Sequence, residues 1–449
     1  MKTYPLEPLF SVILLPFEQF VRRATAGGIV LIGTTLLALL LAHSPWGPGF
    51  THFWEQPMGV AVGSVWAVHK TMHGWVNDGL MVLFFLLVGL ELKREMLVGE
   101  LSSIKDAALP IIAAFGGMLC PALIYWSFNP GFPASAGWAI PTATDIAFAI
   151  GILVLLAWRI PKNLILFLTA LAIADDLGAI LVIAIFYTKT LNFSALAATG
   201  AFFGLLILLN RGGIRHPIPY WVLGLFLWYA VMASGIHATI AGVMLAFTIP
   251  ARPAYSPKRF DRRILDLREA FRAEADKEDT LNDPLSNQRL ATIAQNMEQV
   301  SEAVQSPLQR SEHNLNPWVT FLVLPIFALA NAGIDFRDIE FGESVRAPVT
   351  LGVLLGLVLG KFVGISLFSW IGLKLGFARL PTGVHWRHLL GAAWLGGIGF
   401  TMALFISQLA FTDATLIKEA KLGILLASLI AALIGLSWLY FAERPERNE

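Results

Sequence analysis

The chain has 449 residues, 56% of them hydrophobic and only 14% charged, with a formal net charge of +1. Soluble domains carry about a quarter charged residues, and residues 252–316 alone hold a third of the charges present here. This excludes a soluble globular enzyme, a disordered chain and a nucleic-acid binder of the basic-patch kind, and leaves a polytopic membrane protein; a single cysteine, Cys120, excludes an intramolecular disulfide framework and a cysteine metal cluster.

Residues 1–23 carry Pro5, Pro8, Pro16 and Glu18 and lack a small-residue cleavage site, so they read as a cytoplasmic amphipathic segment and not as a signal peptide. Apolar runs of bilayer-crossing length follow. Spans one to eight fall near 24–43, 75–93, 104–126, 136–158, 163–187, 193–209, 217–233 and 236–250, so that 24–250 forms the first part of the membrane domain. Span eight is short for a crossing. A long charged loop, 251–316, comes next, and Arg259–Glu278 within it reads as a surface helix with a partial apolar face. Spans nine to twelve, near 317–334, 349–372, 388–410 and 417–441, complete the membrane domain over 317–441, and a tail occupies 442–449. Lys and Arg concentrate in the odd-numbered connections, with exceptions at 335–348 and 411–421, which places both termini and the long loop on the cytoplasmic side.

An ionisable residue inside a span costs several kcal/mol and marks a functional site by default. Span four contains only Asp145, span five only Asp175 and Asp176, and span ten only Lys361. Three acids facing one lysine exceed what structural pairing needs. Adjacent helical residues point about 100° apart, so one of Asp175 and Asp176 can meet Lys361 while the other reaches a small cation. The two carboxylates cannot both ionise easily without a counter-charge, and a site that holds a proton near neutrality can exchange it for another cation. Oxygen donors suit a small hard cation.

Two spans are interrupted. Span four contains Pro141, Thr142, Ala143, Thr144 and Asp145, where proline removes a helix donor. Span eleven contains Gly396, Gly397 and Gly399, three glycines in four residues, which free the backbone to leave the helix. Each break lies in the second span of a three-span block, 104–187 and 349–441, and the two blocks start on opposite sides. That pattern predicts inverted-topology repeats whose interrupted helices cross at a midplane site. Half-helix termini carry partial charges, and Asp145 and Lys361 are placed to compensate them.

With these residues in view, the sequence resembles the NhaA family of sodium/proton antiporters. The resemblance runs through Asn77-Asp78, FFLLVGLELKRE at 84–95, GWAIPTATDIAFAI at 137–150, ALAIADDLGAILVIAIFY at 170–187, SGIHATIAG at 234–242, PIFALANAG at 325–333, GKFVGISLF at 360–368 and GIGFTMAL at 397–404. It implies that Asp175 and Asp176 form the ion- and proton-binding pair, with Thr144 a ligand beside Asp145 and with Lys361 paired to the first Asp. It further implies that Glu91, Arg94 and Glu95 form a pH-responsive cluster with Glu312 and His313, that His237 contributes to pH dependence, and that Asp78 is an acid on the opposite side. Asn316 stands where the family pattern has a second histidine. Seven other histidines, His43, His52, His69, His73, His216, His385 and His388, lie at span ends or in loops and read as interfacial.

The expectation is an all-α transporter of about twelve spans, not an enzyme, in a bacterial inner membrane. It would export Na⁺ or Li⁺ in exchange for external H⁺, electrogenically and under pH control, with no cofactor and with the lipid bilayer as its environment. A sodium-coupled anion symporter would need an added polar cavity, an intramembrane aspartyl protease needs acids on separate helices, and a cation channel favours a repeated ring. The Gly59–His73 stretch corresponds to a family β-hairpin used in dimerisation, which implies a homodimer through 59–73. A single cysteine near Gly63 should then crosslink two chains, and monomers alone would refute the dimer.

Overall fold

A computed structural model describes residues 26–62, 66–188, 191–276, 287–334 and 341–442. The amphipathic segment expected at 1–23, Gly63 and the tail beyond residue 442 lie outside them. Nine helices among the described residues are long and apolar enough to cross a membrane, and Trp386–Leu395 with Phe400–Ala410, bent by 46°, makes a tenth. The apolar Pro217–Ala233 and the nine-residue Ile240–Thr248 take the two remaining places of the twelve.

A nine-residue helix rises only about 13 Å, far less than a bilayer core, and lipid offers its terminal carbonyls no donors. The protein supplies them. Lys93 Nζ from span two reaches Phe247 O at 2.7 Å, Ile249 O at 2.5 Å and Ala246 O at 3.4 Å. Asn210 Nδ2 donates to Thr248 O at 2.5 Å. The carbonyls of the last turn of span eight are thus met by protein donors, chiefly an ammonium.

The two three-span blocks meet along spans three, Ile104–Phe128, and ten, Pro348–Lys374. At the contact Gly116 and Gly364 face each other so closely that a Cβ on either would lie within 2.4 Å of the other's carbonyl oxygen. This backbone-to-backbone approach seats Lys361, one turn earlier, against Gly117 of span three. Span ten passes through a π-helical segment, Gly356–Gly360, just before Lys361, and similar segments interrupt spans two and nine at Val76–Leu80 and Val319–Val323. The first of these lies close against neighbouring spans: Cβ atoms on Gly356 and Gly360 would collide with Pro141 and Pro121.

Between spans one and two, β1 (Pro57–Val62) and β2 (Trp66–Thr71) form an antiparallel hairpin with Val60 opposite Val68. The charged loop carries a helix at Pro257–Ala275, where one was expected to start at Arg259, and a second at Gln288–Ala303. Arg289 and Glu274 link the two at 3.8 Å. The helix of span nine begins at Pro307, ten residues before 317, because Ser306 and Gln309 form a reciprocal capping box with proline at the first position.

Candidate functional site

The crossing of spans four and eleven forms as each sequence dictates. Span four is a 3₁₀ helix over Ala134–Thr142, extended through Ala143 to Asp145, and α-helical again from Ile146. Span eleven breaks between Leu395 and Phe400. Its glycines serve a different purpose from the backbone freedom expected of them, since none of the three has a positive φ. They allow close approach: a Cβ on Gly397 would lie 2.6 Å from Leu357 O, and one on Gly399 3.1 Å from Ala143 O.

The two unwound stretches are stitched together. Thr144 Oγ1 lies 2.9 Å from Gly396 O, and Asp145 N donates to Ile398 O at 2.6 Å. Asp145 Oδ1 accepts from Phe148 N at 3.0 Å, at the start of its own half-helix. Asp145 Oδ2 accepts from Thr401 N at 3.0 Å and Thr401 Oγ1 at 2.5 Å, at the start of the other half-helix. One carboxylate thus answers the positive ends of both half-helices.

Span five, Lys162–Phe186, presents its two acids to this crossing from the side. Asp175 Oδ2 accepts from Lys361 Nζ and lies 2.6 Å from Thr144 Oγ1. Neither carboxylate oxygen of the adjacent Asp176 takes part in these hydrogen bonds. Asp145, Asp175, Asp176 and Lys361 are 2%, 1%, 0% and 0% exposed, so all four sit in a low-dielectric interior. Asp145 is satisfied by hydrogen bonds. Asp175 Oδ1 and both oxygens of Asp176 are buried and have no protein donor. Buried polar atoms in native structures are almost always paired, and these three carboxylate oxygens depart from that rule. Among the described residues no group of three or more His, Cys, Asp or Glu side chains is arranged to hold a metal ion.

The second group also assembles. Arg94 Nη2 lies 3.0 Å from Glu95 Oε1, and its Nε lies 3.5 Å from Glu312 Oε1, a charge contact too long for a good hydrogen bond. Glu91 lies within electrostatic reach of Glu312, Arg94 and Glu95, and also of Asp176. His313 is the next residue after Glu312 on the same helix, and Asn316 instead accepts from Thr320 Oγ1 at 2.9 Å.

Asp78 and His237, far apart in sequence, meet: His237 Nε2 lies 3.3 Å from Asp78 Oδ1, and Lys70 of β2 pairs with Asp78 Oδ2. Two histidines read as interfacial are placed otherwise. His73 bonds Asn331 Oδ1 at 2.9 Å, and Asn331, fully buried, donates to Asn77 Oδ1 at 3.1 Å. His388, 1% exposed, accepts from His385 N at 3.2 Å as part of a helix cap. The buried Asn77–Asn331 pair consists of two uncharged amides in apolar spans, so no charge marks it in the sequence.

A profile of the family described as Na+/H+ antiporter 1 matches residues 18–439. The chain belongs to this family. A relative from Syntrophobacter fumaroxidans, named Na(+)/H(+) antiporter NhaA, is 63% identical over 438 residues, 98% of this chain and 93% of its own. Another of the same name, from Acidithiobacillus ferrooxidans, is 60% identical over 434 residues, 97% of this chain and 99% of its own. A third, Na(+)/H(+) antiporter NhaA 1 of Saccharophagus degradans, is 49% identical over 438 residues, with 97% of this chain and 93% of its own covered. Family membership makes this chain a multi-pass membrane protein of a transporter family, in agreement with its helical spans.

Proposed function

We propose that this chain is an electrogenic Na⁺/H⁺ antiporter, also accepting Li⁺, in which Asp175 and Asp176 bind either the cation or protons. The observation that carries this reading is the trio of buried carboxylate oxygens without a protein donor, on Asp175 and Asp176. A cation entering here meets two carboxylates and Thr144 Oγ1, and it competes with Lys361 for Asp175. Protonated acids cannot hold it, so occupancy by one species excludes the other and couples the two fluxes. A cycle of two protons against one Na⁺ moves a net charge, and membrane potential then contributes about 2.3 kcal/mol per charge per 100 mV.

The test is Na⁺ addition to everted vesicles holding a preformed pH gradient. Antiport collapses the gradient, faster when the potential is clamped to favour the net charge movement. A gradient indifferent to Na⁺ and Li⁺ defeats the proposal.

The Glu91, Arg94, Glu95, Glu312 and His313 cluster is proposed to set the pH of activation from the cytoplasmic side. Its carboxylates outnumber its imidazole, so Glu95→Cys or Glu312→Cys should shift the pH of half-activation without changing ion selectivity, and His313→Ala should shift it less. If pH dependence is only competition at the Asp pair, the activity–pH curve will move with Na⁺ concentration and ignore the Glu95 variant.

A further inference from the structure

From the geometry of the crossing we infer that Thr401 is a positioning residue of the cation site, acting through Asp145 on Thr144. The inference rests on the cation-binding reading of Asp175 and Asp176.

The contacts form a short ladder between the two unwound segments. Thr144 faces Gly396 O, the Asp145 N–H faces Ile398 O, and the Asp145 carboxylate faces the N–H and hydroxyl of Thr401. Almost every rung uses backbone donors or acceptors, which no substitution removes cleanly. The exception on the span-eleven side is the Thr401 hydroxyl, which is 1% exposed and makes the shortest contact to Asp145 Oδ2, at 2.5 Å.

Thr144 is the next residue before Asp145, and its Oγ1 sits between Gly396 O and Asp175 Oδ2 at 2.9 and 2.6 Å. A hydroxyl has one proton and two lone pairs. To coordinate a cation beside Asp175, Thr144 must turn its proton away, and Gly396 O stands ready to accept it. That swap works only while span eleven stays in register with span four. Asp145 maintains the register from both sides, through its own N–H and through the Thr401 hydroxyl on its carboxylate. The hydrogen bonds of Thr401 go to Asp145 and not to Asp175 or Asp176, so its effect is on where Thr144 stands.

Outer partners of a bound metal ion change affinity by about 10–100-fold when removed. Thr401→Val keeps the shape and deletes the hydroxyl. We expect it to raise the KM for Na⁺ and for Li⁺ about tenfold, with the maximal rate falling much less, and Thr401→Ser to restore the parent KM. Thr401→Cys, with a weak donor in nearly the same volume, should fall between, and it serves if the valine variant fails to accumulate. The double variant Thr401→Val, Thr144→Val should match Thr144→Val alone, since both act at one point. A Thr401→Val or Thr401→Cys protein with the parent KM, or one that loses only protein yield and maximal rate, overturns the inference. A parent protein with no Na⁺-driven proton movement would instead defeat the antiport reading itself.

Discussion

Asp176→Asn should abolish Na⁺-driven proton movement while leaving the protein in the membrane. Both carboxylate oxygens of Asp176 are buried with no protein donor, so no structural hydrogen bond is lost when one becomes an amide nitrogen. Helix Lys162–Phe186 keeps its packing because the isostere occupies the same volume. What disappears is a charge in a site of low dielectric, together with a titratable proton. If removing an outer partner of a bound ion costs 10–100-fold, removing a direct ligand should cost at least about a hundredfold in exchange rate. Near-normal exchange in this variant, at parent expression level, would remove the central proposal. Asp175→Asn should also cripple transport, because it leaves the Lys361 ammonium facing an amide; any exchange that survives should move fewer charges per cycle.

The second large effect is expected at Lys361, which is fully buried on Asp175 Oδ2. Removing one partner of a buried ion pair costs about 3–5 kcal/mol, because the remaining charge stays in the interior uncompensated. Lys361→Ala should therefore lower the Tm of the purified protein as well as its activity, and Lys361→Arg should retain more of both. The double variant Lys361→Ala, Asp175→Asn should regain part of the lost Tm, since no bare charge is left behind. An alanine variant as heat-stable as the parent would show that the ion pair contributes nothing to the fold.

The parts of the fold visible in the sequence are those where polarity contradicts its surroundings. Asp145, Asp175, Asp176 and Lys361 stand alone in apolar spans, and proline or clustered glycine beside them marks the two breaks. Glu91, Arg94 and Glu95 share a helix face by spacing alone, but the expectation that this face meets Glu312 rests on the family resemblance. Other features carry no comparable mark. The π-helical turns at Val76–Leu80, Val319–Val323 and Gly356–Gly360 have no marker residue in common, although Gly356 and Gly360 do allow Pro141 and Pro121 to come close. Thr401 looks like any helix-start threonine until span four places Asp145 beside it. The early start of span nine was legible, since Ser306 and Gln309 stand at capping-box spacing around Pro307, but the polar residues that follow read as loop.

Span eight also bears on the order in which the protein is made. A nine-residue helix gives too little hydrophobic length to partition stably into lipid alone, so Ile240–Thr248 must be held by segments that are already in place. Both donors to its final turn come earlier in the chain: Asn210 precedes its acceptor by 38 residues, and Lys93 precedes Ala246 by 153. A nascent chain that has just delivered Ile249 to the ribosomal exit therefore already contains both of these side-chain donors, and synthesis from the N-terminus supplies the clamp before the segment it must hold.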